Sequence, residues 1–280
     1  MTIAEDKVME PVHSRSSFES TSLHRIRVIA LNTFRESVRD RVLYNLILFV
    51  LILVASSVFV SDLSLDMESQ FTGALGLSVM LVFGALIAIF IGVGLVYKEI
   101  EKRTIYSLLS KPVHRHEFII GKYLGLSATL LVNSVVMVAG TELALLYVNR
   151  GLAPIEVAIL PAAYLIYLEL ALLVAIATMF SSFTTPMLAA LFSFAAYVIG
   201  HFSGDLRQAA QLSDSLLVRG LLTALYYLLP NLSNFGFIAE ASHGRVASVA
   251  MAIRATVYAL VYIGILLSAS ALIFQRRNFK

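Results

Sequence analysis

The sequence contains no cysteine and no tryptophan, and only 14% of its 280 residues are charged. Without cysteine there is no disulfide framework, no thiolate metal centre and no cysteine nucleophile, and nothing from which to infer the redox compartment. Charge this sparse, at a mean hydropathy of +0.84, lies outside the range of soluble globular domains and inside that of polytopic membrane proteins. A water-soluble core is the wrong picture. The net charge of +3 does not point to nucleic acid, because the basic residues sit at the ends of apolar runs, where membrane topology accounts for them. No cleavable signal peptide is expected, since residues 1–40 are polar and the first apolar run lacks a small-residue cleavage site.

What is present is a succession of apolar runs. At ~1.5 Å per helical residue, a hydrocarbon core of about 30 Å needs roughly 20 of them. Six runs are read as spans, at 42–60, 74–96, 123–148, 154–180, 186–201 and 249–274, the fifth rather short. The predicted fold is therefore all-α, a polytopic membrane protein with six transmembrane helices. Residues 1–22, polar and Ser-rich with Pro11, are expected to be a flexible N-terminus, and 23–280 a single transmembrane domain. From His24 to Arg41, Ile26, Ile29, Phe34 and Val38 share one helical face and Arg25, Arg35 and Arg39 the other. That suits a helix at the headgroups with its basic face toward anionic lipid. In the second span Gly84, Ala88 and Gly92 recur every fourth residue, a stripe that admits close approach of another helix.

Charge placement orients the chain. With six spans and both ends inside, only Arg150, Arg207, Arg219, Arg245 and Arg254 of the 21 Lys and Arg fall outside, as the positive-inside rule requires. Residues 215–230 are apolar but interrupted by Arg219 and closed by Pro230, so they are read as a helix at the outer interface. A seventh span there would carry Arg276 and Arg277 outward, against the rule.

Between the second and third spans lies a charged island, 97–122, reading YKEIEKRTIYSLLSKPVHRHEFIIGK. From Thr104, Ile105, Leu108 and Leu109 share one helical face, opposite Arg103, Ser107 and Ser110, and Pro112 stops the helix. This is the layout of a docking helix. The segment resembles the cytoplasmic coupling region of ABC-2 type permeases, the membrane subunits of a group of ATP-binding-cassette exporters. The resemblance rests on Glu99 and Glu101, Thr104, Leu108-Leu109-Ser110, Pro112-Val113, Arg115, Glu117-Phe118 and Gly121-Lys122. Two positions depart from that pattern: Arg103 stands where the family usually has Gly, and His114 where Ser is common. The helix at 24–41 is similar to the family's elbow helix, and Leu228-Leu229-Pro230-Asn231-Leu232 to an element before its last span.

The resemblance implies a transport subunit rather than an enzyme, exporting by family habit from the inner membrane, with both termini cytoplasmic. It implies a second permease copy or a paralogue, surrounding lipid, and a separate cytoplasmic ATPase that holds ATP and Mg, so that this chain binds no cofactor. The coupling residues it implies are Glu99, Glu101, Thr104, Ile105, Leu108, Leu109, Ser110, Pro112 and Arg115. Some relatives serve copper-enzyme maturation, yet Met67, Met137, Met179 and Met187 show no Met-x-x-Met pairing and read as packing residues.

The chain cannot supply the ATPase itself. Gly121-Lys122 looks like the tail of a phosphate loop, but that motif needs Gly where His116 stands and Ser or Thr where Tyr123 stands. His114 and His116 lack the carboxylates or thiolates that would complete a metal site, so none is expected. Two acids fall inside spans, Glu142 near an end of the third and Glu169 deep in the fourth. A charge at the centre of a span costs about 2.5–3.5 kcal/mol on insertion scales, so Glu169 should face protein or water. Asn133 and Glu169 are the candidates for a translocation path; the plainer alternative is a hydrogen-bonded packing role for Glu169, with Asn133 or Tyr164 as partner. Two other functions compete: an ATPase-independent channel or ion-coupled transporter using Glu169, and a structural subunit that recruits a partner and moves nothing.

Overall fold

The computed structural model describes residues 22–39, 52, 68–101, 115–149, 151, 154–213 and 215–276, and among them every regular element is helical. The order is α1 (Ser22–Arg39), α2 (Glu68–Glu101), α3 (Arg115–Asn149), α4 (Pro154–Ser181), α5 (Pro186–His201), α6 (Ser203–Leu212), α7 (Leu216–Leu228), a 3-10 turn (Leu232–Phe235), α8 (Ile238–Ser242) and α9 (Val249–Arg276). Four helices, α2, α3, α4 and α9, are long and apolar enough to cross a membrane, and they carry the second, third, fourth and sixth predicted spans. The fifth predicted span is not one straight helix. α5 keeps the predicted bounds 186–201, but α6 continues it at an angle of 72° with Phe202 at the break. The predicted helix at 215–230 is α7, bent by 45° from the turn and α8 that follow. The first predicted span, 42–60, residues 1–21 and the middle of the coupling segment, 102–114, lie outside the described residues, Ile52 apart.

α4 is the axis of the bundle, with α2, α3, α5 and α9 packed around it. Its sequence dictates this place: apolar residues on every side leave no face suited to water. Pro154 opens the helix where a missing N–H costs nothing, and Glu156 in the first turn complements the helix dipole. Pro161 sits inside, so the Val157 carbonyl loses its usual i+4 donor.

Small residues set how closely the other helices approach. The stripe on α2 lies against α4: a Cβ on Gly92 would come within 2.6 Å of the Ala177 Cβ, one on Gly84 would strike Leu170, and Ala88 is fully buried. Ser181 Oγ closes the same seam by donating to the Val93 carbonyl at 2.8 Å. On the other side of α2, Gly76 receives Thr141 of α3. The α3–α4 seam is polar in part, with Tyr123 Oη donating to the Ala171 carbonyl at 3.2 Å and Ser127 and Tyr167 hydroxyls 3.0 Å apart.

α1 packs along α3, and this corrects one expectation. Arg25 does not join Arg35 on an outward basic face; it turns to α3 and pairs with Glu117. The outward side of α1 still mixes apolar Leu23, Val28, Leu31 and Val38 with basic residues, the surface an interfacial helix offers.

Candidate functional site: the coupling root and the buried acids

The coupling segment is carried on two helical stalks. α2 has 34 residues, about 51 Å by helical rise, and it runs past the apolar stretch that ends at Val96 into Lys98, Glu99 and Glu101. Glu99 and Glu101 lie on the remaining turns of α2, and Arg115 opens α3. Thr104, Ile105, Leu108, Leu109, Ser110 and Pro112 lie outside the described residues.

At the root of the second stalk stands Glu117, completely buried in the first turn of α3. Its Oε1 accepts from Ser22 Oγ at 2.5 Å and from Arg25 Nη2 at 2.9 Å, both on the first turn of α1. Gly121 and Gly125 follow one and two turns later on the same face. A Cβ on Gly121 would lie 2.8 Å from the Ile29 Cβ and 3.0 Å from the Ile26 carbonyl oxygen; one on Gly125 would lie 2.5 Å from the Ala30 carbonyl oxygen. Glu117, Gly121 and Gly125 thus form one row: an acid that holds the start of α1 and two glycines that let its backbone lie against α3. Phe118 is buried and Lys122 Nζ stands 5.6 Å from its ring centroid. The Glu117-Phe118 and Gly121-Lys122 parts of the sequence pattern are therefore explained by helix packing, with no phosphate site needed. Ser22, Arg25 and Glu117 are not among the expected site residues, since no local spacing connects groups 92 residues apart.

Glu169 sits in the middle of α4, 1% exposed. Neither expected partner reaches it. Tyr164 Oη is bonded to Thr256 Oγ1 of α9 at 2.7 Å, and the Asn133 side chain finds no hydrogen-bond partner among the described residues. Glu169 instead faces His201, the last residue of α5, with Nε2 3.4 Å from Oε1. The imidazole Nδ1 lies 3.3 Å from the Tyr197 carbonyl, and the two rings are 4.7 Å apart. A carbonyl only accepts, so Nδ1 carries hydrogen; Nε2 and the carboxyl oxygen then need one proton between them, on either partner. As a unit the pair is neutral, which avoids the cost of a lone charge at this depth. The 3.4 Å approach is longer than a well-made hydrogen bond, so Oε1 is within reach of the imidazole rather than saturated by it.

Asn133 is 1% exposed in mid-α3, and among the described residues neither its amide oxygen nor its nitrogen has a partner. The structure does not join it to Glu169. Glu142 has a buried Oε1 with no hydrogen-bond partner among the described residues, while at the α3–α4 turn Asn149 Nδ2 donates to Glu156 Oε1 at 3.2 Å.

Four long apolar helices, one of them a buried axis for the rest, define a multi-pass helical membrane protein. The family model for ABC-2 family transporter proteins matches residues 27–278, so the chain belongs to the ABC-2 transporter family. It is a permease subunit of an ABC transporter, and its work is transport rather than catalysis. No curated protein matches the chain.

Proposed function

We propose that this permease exports its substrate across the inner membrane, both termini in the cytoplasm, as a dimer with a second copy or a paralogue. A separate cytoplasmic ATPase holds ATP and Mg and drives it through segment 97–122. The observation that carries the reading is the root of that segment. α2 extends beyond its apolar part, and α3 starts at a buried acid that also holds α1. A push on the segment between them therefore reaches α1, α2 and α3 together, and α2 and α3 both lean on the α4 axis. Within the segment, Ile105, Leu108 and Leu109 fill a groove on the ATPase, while Glu99, Glu101 and Arg115 set orientation from the rim. Asn133 and Glu169 belong to the translocation path.

The test is a pull-down from native membranes. The chain should retain a cassette-type ATPase, and Leu108→Asp with Leu109→Asp should release it. If no such ATPase co-purifies, or if the double variant keeps it, the proposal is wrong. The buried Glu169–His201 pair favours a second reading, an ion-coupled transporter that works without an ATPase. That reading predicts transport unaffected by the double Asp variant.

A further inference from the structure

Among the described residues, α6 and α7 form a hairpin with few contacts to the long helices. They pack mainly on each other, and α7 has no buried residue. The two roots of the hairpin, by contrast, are tightly built and adjoin each other. A Cβ on Gly200 would lie 2.9 Å from the Pro230 carbonyl oxygen and 2.8 Å from the Leu232 Cγ, so the end of α5 and the chain leaving α7 touch backbone to backbone. Each root is also fastened to a different long helix. The leaving segment is fastened to α9, where the Asn231 N–H donates to Tyr258 Oη at 2.7 Å and the Tyr258 ring packs with Phe235 and Tyr262. The entering root is fastened to α4 by His201 and Glu169, one residue before the 72° break.

We propose that the Glu169–His201 pair is a latch that holds the α6–α7 hairpin against α4, and that parting it lets the hairpin turn about Phe202. Three observations converge on the latch. The pair stands at the break itself, next to the residue where the helix direction changes. Its contact is the long, unsaturated one of the two fastenings, 3.4 Å against 2.7 Å at Asn231. Just beyond the break, Ser203 is 3% exposed and its hydroxyl has no partner among the described residues, although a Cβ on its neighbour Gly204 would meet nothing within 4 Å. On this proposal, parting the root uncovers Ser203. The hairpin is apolar on α7 and polar on α6, and Arg207 over the Tyr226 ring at 5.7 Å links the two helices. The latch does not depend on the ATPase coupling proposed above.

The absence of native cysteine makes a direct test available. Ser203→Cys and, as an open control, Gly204→Cys are introduced singly into the full chain in lipid nanodiscs, and their reaction with a small maleimide is timed. With the latch intact, Ser203→Cys should react far more slowly than Gly204→Cys. Adding Glu169→Ala or His201→Ala should speed its reaction by about tenfold or more, the consequence of removing a buried polar contact from a local opening equilibrium. Glu169→Gln, whose amide N–H can still donate to Nε2, should leave it slow. Unchanged Ser203→Cys reactivity in both alanine variants overturns the latch, and so does a Glu169→Gln variant as fast as Glu169→Ala. Should an alanine variant fail to elute as a single species, His201→Asn takes its place: faster labelling supports the latch and unchanged labelling rejects it.

Discussion

Removing Glu117 is the sharpest perturbation of the coupling root. The carboxylate is 0% exposed and receives two donors from α1, whereas the Arg25 side chain is 25% exposed with its Nε unpartnered. A hydrogen bond to a charged group contributes about 1.5–3 kcal/mol, and deleting one partner of a buried pair costs about 3–5 kcal/mol. Solvent around Arg25 weakens its share, so Glu117→Ala should loosen the docking of α1 by roughly 2–4 kcal/mol and Arg25→Ala by roughly 1–2 kcal/mol. Because the two groups touch, the double variant should fall short of the sum by about 1 kcal/mol or more. Thr33 supplies the gauge. It is 4% exposed and would be within 2.7 Å of a Cβ on Gly125, so a cysteine there is covered only while α1 is docked. When labelling is slow relative to undocking, its rate follows the undocked population, about tenfold for each 1.4 kcal/mol. Glu117→Ala should therefore label Thr33→Cys roughly thirtyfold to several hundredfold faster. Strictly additive effects of the two alanines, or no acceleration by Glu117→Ala, would refute the clasp.

Glycines in the seams should split by sign. Gly125→Ala drives a methyl against the Ala30 backbone carbonyl and should cost about 1–3 kcal/mol, while Gly264→Ala on α9 meets nothing within 4 Å and should gain up to about 1 kcal/mol of helix propensity. Thermal unfolding in nanodiscs compares them, and equal effects would contradict the packing. Tyr258→Phe strips the acceptor from the Asn231 N–H and should destabilise by about 1–2 kcal/mol, read the same way. Asn133→Leu keeps the heavy-atom shape and removes two unpartnered polar groups, so stability should rise by about 1–2 kcal/mol. If Asn133 serves the path, transport falls in the same variant; a gain in stability with transport intact assigns it to packing alone.

Hydropathy makes the second, third, fourth and sixth spans legible because each is a single unbroken helix whose length alone matches a bilayer. The bend after His201 is not legible in this way. Phe202-Ser203-Gly204 carries no proline, and the shortness of the run at 186–201 hints only that the crossing is incomplete. The stripe Gly84-Ala88-Gly92 announces a close approach without naming α4 as the helix received. Gly121 and Gly125 show the opposite failure, since a look-alike of a phosphate motif masks their four-residue spacing, which is itself a packing signal. A helical wheel assigns Arg25 outward with its basic companions Arg35 and Arg39. Yet Arg25 also lies one turn before Ile29, on the flank of the face that docks, and a wheel alone cannot choose between lipid and an acid far along the chain.

The two buried acids meet different solvents, and their partners differ accordingly. Glu117 lies at the end of an apolar run, where an arginine that is always charged can keep part of its guanidinium in water while paired. Glu169 lies fifteen residues into a 28-residue span, about 22 Å along it, and His201 lies about as far along α5. At that depth a full ion pair must desolvate both charges, a penalty that attraction does not reliably offset. Imidazole avoids the problem, because it can hold or release the shared proton and so need never be a second fixed charge. Residue type thus follows depth: arginine where the carboxylate must stay ionised to hold a basic helix, histidine where a neutral contact has to close and part inside the membrane.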